Sequence, residues 1–290
     1  MNKLLHFSII EQITGGQWLA PPPDPGLELL AGAFDTRSLD QADIFFAWQG
    51  ENSDGHRFLQ QLEGSGVKLI IVEKEVPRLR DIAILKVPSS LEALHKLARY
   101  LVDNFAGKIV NITGSSGKTT AKTWLTHLLK DHFRLLSNPG SFNNHIGCPI
   151  TILSLNPGHN LMILEMGSSG LGELESLSAI APGDITLLLN VGHAHLGKFK
   201  TLENTYRAKA EIFSHQRNGA VSIVPHGDQR LIPYLPVGPV QTFGKASPEY
   251  AYRTVSIDPE KKMQNILFQT PFGEKTVSVG QLGNYVGELL

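Results

Sequence analysis

Hydrophobic positions along this chain fall in short runs, each closed by a polar or glycine-containing turn. Residues 43–48 and 67–72 are apolar and rich in β-branched and aromatic side chains, which predicts two buried strands, and residues 57–62 between them carry a helical spacing. Pro21-Pro22-Pro23-Asp24-Pro25-Gly26 can enter neither a helix nor a central strand and predicts a stiff surface connection. Ser89-Ser90-Leu91-Glu92 has the form of a capping box, ahead of a helix that places Leu91, Leu94, Leu97, Ala98 and Leu101 on one face.

From residue 109 the runs lengthen. Ile109 to Ile112 is a strand pattern that enters a small-residue loop, and the loop opens into a helical pattern with Trp124, Leu125, Leu128 and Leu129. Further apolar runs at 161–164, 185–189 and 220–224 predict strands, 202–213 predicts a helix, and the alternation over 254–279, broken by Pro271-Phe272-Gly273, predicts antiparallel strands at a sheet edge. The pattern as a whole is α/β: a small N-terminal α/β domain over 1–88, then a central domain over 89–290 with a mostly parallel sheet flanked by helices and an added antiparallel edge. Gly287-Glu288-Leu289-Leu290 has the pattern of a helix start, so the central domain is expected to be incomplete at its C-terminal side.

Bulk composition narrows the choice. The chain has 290 residues, 41% of them hydrophobic and 18% charged, which suits two globular domains. A formal net charge of -1 gives no electrostatic reason to expect nucleic acid or an anionic membrane as partner. The single cysteine, Cys148, excludes an intramolecular disulfide and fits a small buried apolar position. No stretch approaches the length of a membrane span and residues 1–10 are too polar for a signal peptide, so a cytoplasmic location is expected.

The chemistry concentrates at Asn111-Ile112-Thr113-Gly114-Ser115-Ser116-Gly117-Lys118-Thr119-Thr120. A strand, a tight loop with Gly114 and Gly117, and a helix starting near Lys118 make an anion site: backbone N–H groups converge, the helix dipole and Lys118 add positive charge, and the Thr119 hydroxyl can hold a nucleotide's magnesium. The full Walker pattern has a second glycine ahead of Gly117 with four residues between; Ile112 holds that place, so the loop is a shortened variant. In a parallel sheet, ligands bind at the carboxyl ends of strands, which would bring Glu165 and the segment 190–195 to the loop's edge. Glu165 there would serve a magnesium ion through oxygen, and otherwise would be a solvated loop acid. His193 and His195 stand two apart, and an extended segment would turn both to one side. On periodicity alone Arg207, Lys209 and Glu211 form a solvated charged face. The polar loops at 35–38 and 50–56 lie next to strands, where ligand-binding residues tend to sit.

Five motifs in order, Thr113 to Thr120, Asn143-Asn144-His145-Ile146-Gly147, Glu165-Met166-Gly167, Asn190-Val191-Gly192-His193-Ala194-His195-Leu196 and Arg207-Ala208-Lys209-Ala210-Glu211-Ile212-Phe213, resemble those of the Mur ligase family. The likeness spans nearly the whole chain. It is nearest the type that adds D-alanyl-D-alanine to UDP-N-acetylmuramoyl-tripeptide in peptidoglycan precursor synthesis, an ATP-dependent ligation through an acyl phosphate. The resemblance implies ATP and Mg2+ as cofactors, with the nucleotide held by Gly114, Ser115, Ser116, Gly117, Lys118, Thr119, Thr120 and Asn144. It implies metal ligation by Thr119, Glu165 and His195, and catalytic parts for Lys118, His195 and Lys209, the last as a carbamate. Thr36, Arg37 and His56 would meet the uridine diphosphate end of the substrate. Two departures are visible. His145 stands where the family commonly has an acidic residue, and the family's third, C-terminal domain is not in this chain, so that a separate chain supplying it, or a nucleotide-binding module without ligase activity, are the alternatives, together with a relative that adds a single amino acid.

Overall fold

The computed structural model describes residues 4–37, 39, 42–50, 53–192 and 199–280. The chain divides by contacts into two units, one of residues 1–107 with 133–162, the other of residues 108–132 with 163–290.

The first unit is built on a five-stranded sheet in the order Gln17–Ala20, Ala83–Lys86, Leu69–Val72, Ile44–Phe46, Gly32–Ala33. The first pair is antiparallel and the other three are parallel. Leu69, Ile70, Ile71 and Val72 are all buried, as expected of a parallel strand covered on both faces, and this is why 67–72 shows no polar alternation. Between strands, Gly55–Leu62 is a 3-10 helix started by the Asp54 carboxylate, which accepts from the His56 N–H.

The helix Ser90–Asp103 begins as its sequence demands: the Ser89 hydroxyl oxygen accepts from Glu92 N–H at 3.2 Å. Glu92 pairs with Lys96 one turn on. The buried stripe is Ala93, Leu94, Leu97, Ala98, Leu101 and Val102, with Leu91 only half-buried. Ser89→Ala is expected to destabilise this unit by about 1 kcal/mol, read as a shift in urea midpoint at unchanged slope.

The sequence boundary at 88 and the contact boundaries differ. The Ser90–Asp103 helix packs with Phe7–Thr14, Ile44–Phe46 and Leu69–Val72, which places it in the first unit. Residues 133–162 join the same unit through the buried helix Gly147–Ile152 and its follower Leu153. A Cβ on Gly32 would stand 2.6 Å from Leu153 Cδ1, so a larger residue at this edge position would require the Leu153 side chain to shift.

The second unit holds a parallel sheet in the order Val240–Phe243, Gln216–Pro225, Gly183–Leu188, Lys108–Thr113 and then Leu161–Glu165, whose last three residues belong to this unit. Helices Lys118–Leu129, Glu173–Ile180 and Leu202–Ala210 accompany it, the last prolonged by a 3-10 turn at Glu211–Phe213. The antiparallel strands Ala251–Asp258, Met263–Thr270 and Gly273–Val279 form a three-stranded sheet of their own, since successive hairpins satisfy their ladders internally. Tyr252 and Ile266 on that sheet pack with Trp124, Phe268 and Val279. Among the described residues no helix is long and apolar enough to cross a membrane.

Candidate functional site: a phosphate loop beside a buried carboxylate

The strand Lys108–Thr113 delivers the loop, and a neighbouring strand end clamps it. Ser115 N–H donates to the Asn190 carbonyl at 3.0 Å, Ser116 N–H donates to Asn190 Oδ1 at 3.0 Å, and Asn190 Nδ2 returns a bond to the Ser116 carbonyl at 3.2 Å. Gly192 N–H adds a bond to Ser115 Oγ at 2.9 Å. Both glycines suit the places they hold. A Cβ on Gly114 would stand 3.0 Å from Leu189 Cβ, and Gly117 has φ 79°, the left-handed conformation that side chains resist. Gly117 precedes the helix Lys118–Leu129, whose start carries no side-chain cap, as suits an end that receives an anion.

Three side chains of that helix define the site. Lys118 Nζ donates to the Gly114 carbonyl at 2.9 Å, folding back over the loop. Burial lowers its pKa, and the Glu165 charge opposes that shift. Thr119 Oγ1 donates to Glu165 Oε1 at 3.1 Å. Lys122 Nζ lies 3.4 Å from Glu165 Oε2. Glu165, at the end of its strand, is 1% exposed, so it is a buried carboxylate and the alternative of a solvated loop acid is discarded. The strand is tied to the loop strand where it ends: Met166 N–H donates to the Ile112 carbonyl and Thr113 Oγ1 donates to the Met166 carbonyl, each at 2.8 Å.

The segment after Glu165 receives a second buried cation, from the helix Leu202–Ala210. Lys209 is 1% exposed, which overturns the solvated face assigned by periodicity: the Leu202–Ala210 helix turns Thr205, Tyr206, Ala208 and Lys209 inward while Arg207 stays exposed. Lys209 Nζ donates to Ser168 Oγ at 3.1 Å and stands 5.8 Å from the Phe199 ring centroid. Burial and, next, the positive charge of Lys118 bring its pKa down to about 8, against the opposing pull of Glu173 and Glu211. Glu173 accepts from the Ser169 N–H and hydroxyl, and Glu211 Oε1 accepts from the Gly172 N–H at 2.7 Å, so both carboxylates shape the turn that holds Ser168. Burial raises the Glu211 carboxyl pKa, with the Gly172 hydrogen bond pulling the other way.

The expected residues therefore separate into groups. Gly114, Ser115, Ser116, Gly117, Lys118, Thr119 and Thr120 form one loop and helix start, with Glu165 and Asn190 touching it. His193 and His195 lie outside the described residues. Asn144 belongs to the first unit, where its Oδ1 accepts from Ile146 and Gly147 N–H. Lys122, Ser168, Glu173, Glu211 and the clamp made by Asn190 are additions from the structure. The available sequence signal for Lys122 was its spacing, three residues from Thr119 on one helix face.

In the first unit a cavity of about 690 Å3 opens among Phe34, Asp35, Thr36, Arg37, Trp48 and Phe58. Phe34 and Trp48 stack with ring centroids 5.6 Å apart. Thr36 Oγ1 donates to Gln61 Oε1, and the exposed Arg37 guanidinium pairs with Asp35, holding that carboxyl below the usual range at about 2. His56 is not in the cavity wall. Its Nδ1–H donates to Asp54 at 2.6 Å and its Nε2 accepts from Glu73 N–H at 3.0 Å, so both ring nitrogens are spent on holding the loop.

Residues 112–288 match the Mur ligase middle domain. The UDP-N-acetylmuramoyl-tripeptide--D-alanyl-D-alanine ligase of Bacillus subtilis is 31% identical over 93% of this chain and 60% of that protein. The crystal structure of MurF from Acinetobacter baumannii superposes with a TM-score of 0.88 at 29% identity, over 99% of this chain and 63% of that one. MurF ligase from Thermotoga maritima, solved in complex with ADP, superposes with a TM-score of 0.77 at 31% identity, over 90% of this chain and 60% of that one. The chain thus spans about three fifths of the length of these relatives. With a matching middle domain over more than half of its residues and a shared fold, this chain belongs to the Mur ligase family.

Proposed function

We propose that this protein binds ATP at the loop 114–120 and takes part in the ligation of D-alanyl-D-alanine to UDP-N-acetylmuramoyl-tripeptide, the reaction named for its Bacillus subtilis relative. The observation that carries this reading is the contact of the phosphate-loop threonine with a buried carboxylate at a neighbouring strand end, Thr119 Oγ1 to Glu165 Oε1 at 3.1 Å. A hydroxyl and a carboxylate side by side are hard oxygen donors of the kind Mg2+ prefers, and they fit that ion. Thr119, Glu165 and, beyond the described residues, His195 would hold it. When bound, it supplies charge neutralisation on the transferring phosphoryl group.

The chain's own groups do the rest. Lys118 would exchange its bond to Gly114 for phosphate oxygens and stabilise the charge that develops as phosphate moves to the substrate carboxylate. The amine of the incoming dipeptide then attacks the acyl phosphate carbonyl and expels phosphate; orientation carries this step, with no protein nucleophile. The cavity with Thr36 and Arg37 is assigned to the uridine diphosphate end within residues 1–88, the aromatic wall offering a face for a base and Arg37 a charge for phosphate. The part of His56 is to hold that loop.

Lys209 is assigned as a carbamate. A buried lysine with pKa near 8 keeps a substantial share of neutral amine close to neutral pH, and the amine nitrogen adds to CO2, releasing a proton and leaving a carboxylate-like anion. That converts a cation beside Lys118 into an anion, which relieves the repulsion recorded in its pKa.

The deciding experiment follows phosphate release from ATP with UDP-N-acetylmuramoyl-tripeptide, with and without D-alanyl-D-alanine. Release that requires both is expected. Release with a single amino acid in place of the dipeptide, or none with tight ATP binding, would defeat the assignment.

A further inference from the structure

Lys122 lies one turn beyond Lys118 on the phosphate-loop helix, and nothing in the reaction as described uses it. Its side chain is 5% exposed and that of Glu165 1%, with Nζ 3.4 Å from Oε2. Thr119 holds the other carboxylate oxygen. Residues three apart on a helix share a face, so a single helix face holds Glu165 by both oxygens. Two charges taken out of water rarely recover the desolvation cost through mutual attraction, so stability is a weak reason for such a pair.

We propose that Lys122 is a positioning residue that acts as the internal counter-ion of Glu165, aligning the carboxylate with Thr119 and making capture of a divalent cation depend on bound nucleotide. This rests on the assignment of Glu165 to the metal. A cation accepted by Glu165 comes within a few ångströms of the Lys122 ammonium, and in this buried setting the repulsion is poorly screened. A free cation bears that repulsion alone. A cation that arrives with a triphosphate brings compensating negative charge, so the pair selects metal with nucleotide over metal by itself.

The test is Mn2+ binding, read from the EPR signal of free Mn2+, for the wild type, Lys122→Met and Lys122→Arg, each with and without a non-hydrolysable ATP analogue. The analogue should tighten Mn2+ binding to the wild type about tenfold or more, while Lys122→Met should bind Mn2+ without nucleotide about tenfold more tightly than the wild type and lose most of the discrimination. Lys122→Arg should keep the wild-type pattern. A folded Lys122→Met with unchanged nucleotide-free Mn2+ affinity overturns the proposal, because a purely structural lysine would alter melting temperature alone. If Lys122→Met does not fold, Lys122→Gln carries the same Mn2+ comparison, and unchanged nucleotide-free Mn2+ affinity in that variant likewise overturns the proposal. A wild type that takes up no Mn2+ even with the analogue overturns the metal assignment itself, and the two failures are distinct.

Discussion

Replacing Lys118 with alanine is expected to weaken nucleotide binding by about 100-fold or more, with the fold retained. A hydrogen bond to a charged group contributes about 1.5–3 kcal/mol and each tenfold in affinity is about 1.4 kcal/mol, so loss of two contacts to phosphate oxygens accounts for that factor. In the nucleotide-free loop the ammonium's bond is to the Gly114 carbonyl, which can turn to water when the side chain is removed. The loop itself stays closed by Asn190 and Ser115, so circular dichroism and melting temperature should change little. Calorimetric titration with an ATP analogue reads the effect. An unaltered affinity would remove the phosphate-loop assignment and the proposed chemistry with it.

The second large effect belongs to Lys209. Exchange for methionine fills the same buried space without an amine, and is expected to lower turnover by about 100-fold while leaving nucleotide affinity within a few-fold, the split expected when a charge that serves the transition state is lost. Its pKa is depressed, so the neutral amine grows as pH rises through about 8. Activity at low bicarbonate should therefore climb between about pH 7 and 9, and saturating bicarbonate should flatten the climb by driving the carbamate at every pH. Labelled bicarbonate should give a carbamate resonance in 13C NMR that Lys209→Met lacks. A pH profile indifferent to bicarbonate would leave Lys209 as a plain buried cation.

What the sequence made legible follows from how local each signal is. The loop 114–120 carries its own determinants, since Gly117 must take a left-handed φ and Gly114 must pass close to Leu189, and these demands are met by residue identity alone. Glu165 and Asn190 were placed at the loop's edge because a parallel sheet brings strand ends together, a rule that needs only strand polarity. Their further duties were hidden. That Asn190 clamps the loop through its amide, or that Glu165 shares Lys122 with the buried interior, depends on which side chain meets which across elements far apart in sequence. Lys209 shows the limit of periodicity most plainly: its helix has weak amphipathic contrast, with charged and apolar residues adjacent, and the inward face is decided by the Ser168 turn that receives the ammonium. For His56 the sequence showed a polar loop position but not that its ring nitrogens meet Asp54 and Glu73 N–H. The boundary expected after residue 88 and the division by contacts differ in the place of 133–162, because a discontinuous unit leaves no mark in local composition.

That return has a consequence for synthesis. As the chain leaves the ribosome, residues 1–107 emerge with Gly32 and its neighbours awaiting Leu153, and the partner segment appears only after the phosphate-loop strand and helix have been made. The unit begun earlier is thus the one that must wait: residues 108–132, destined for the other unit, are translated before residues 133–162 can complete it, so the loop is made before the first unit is whole.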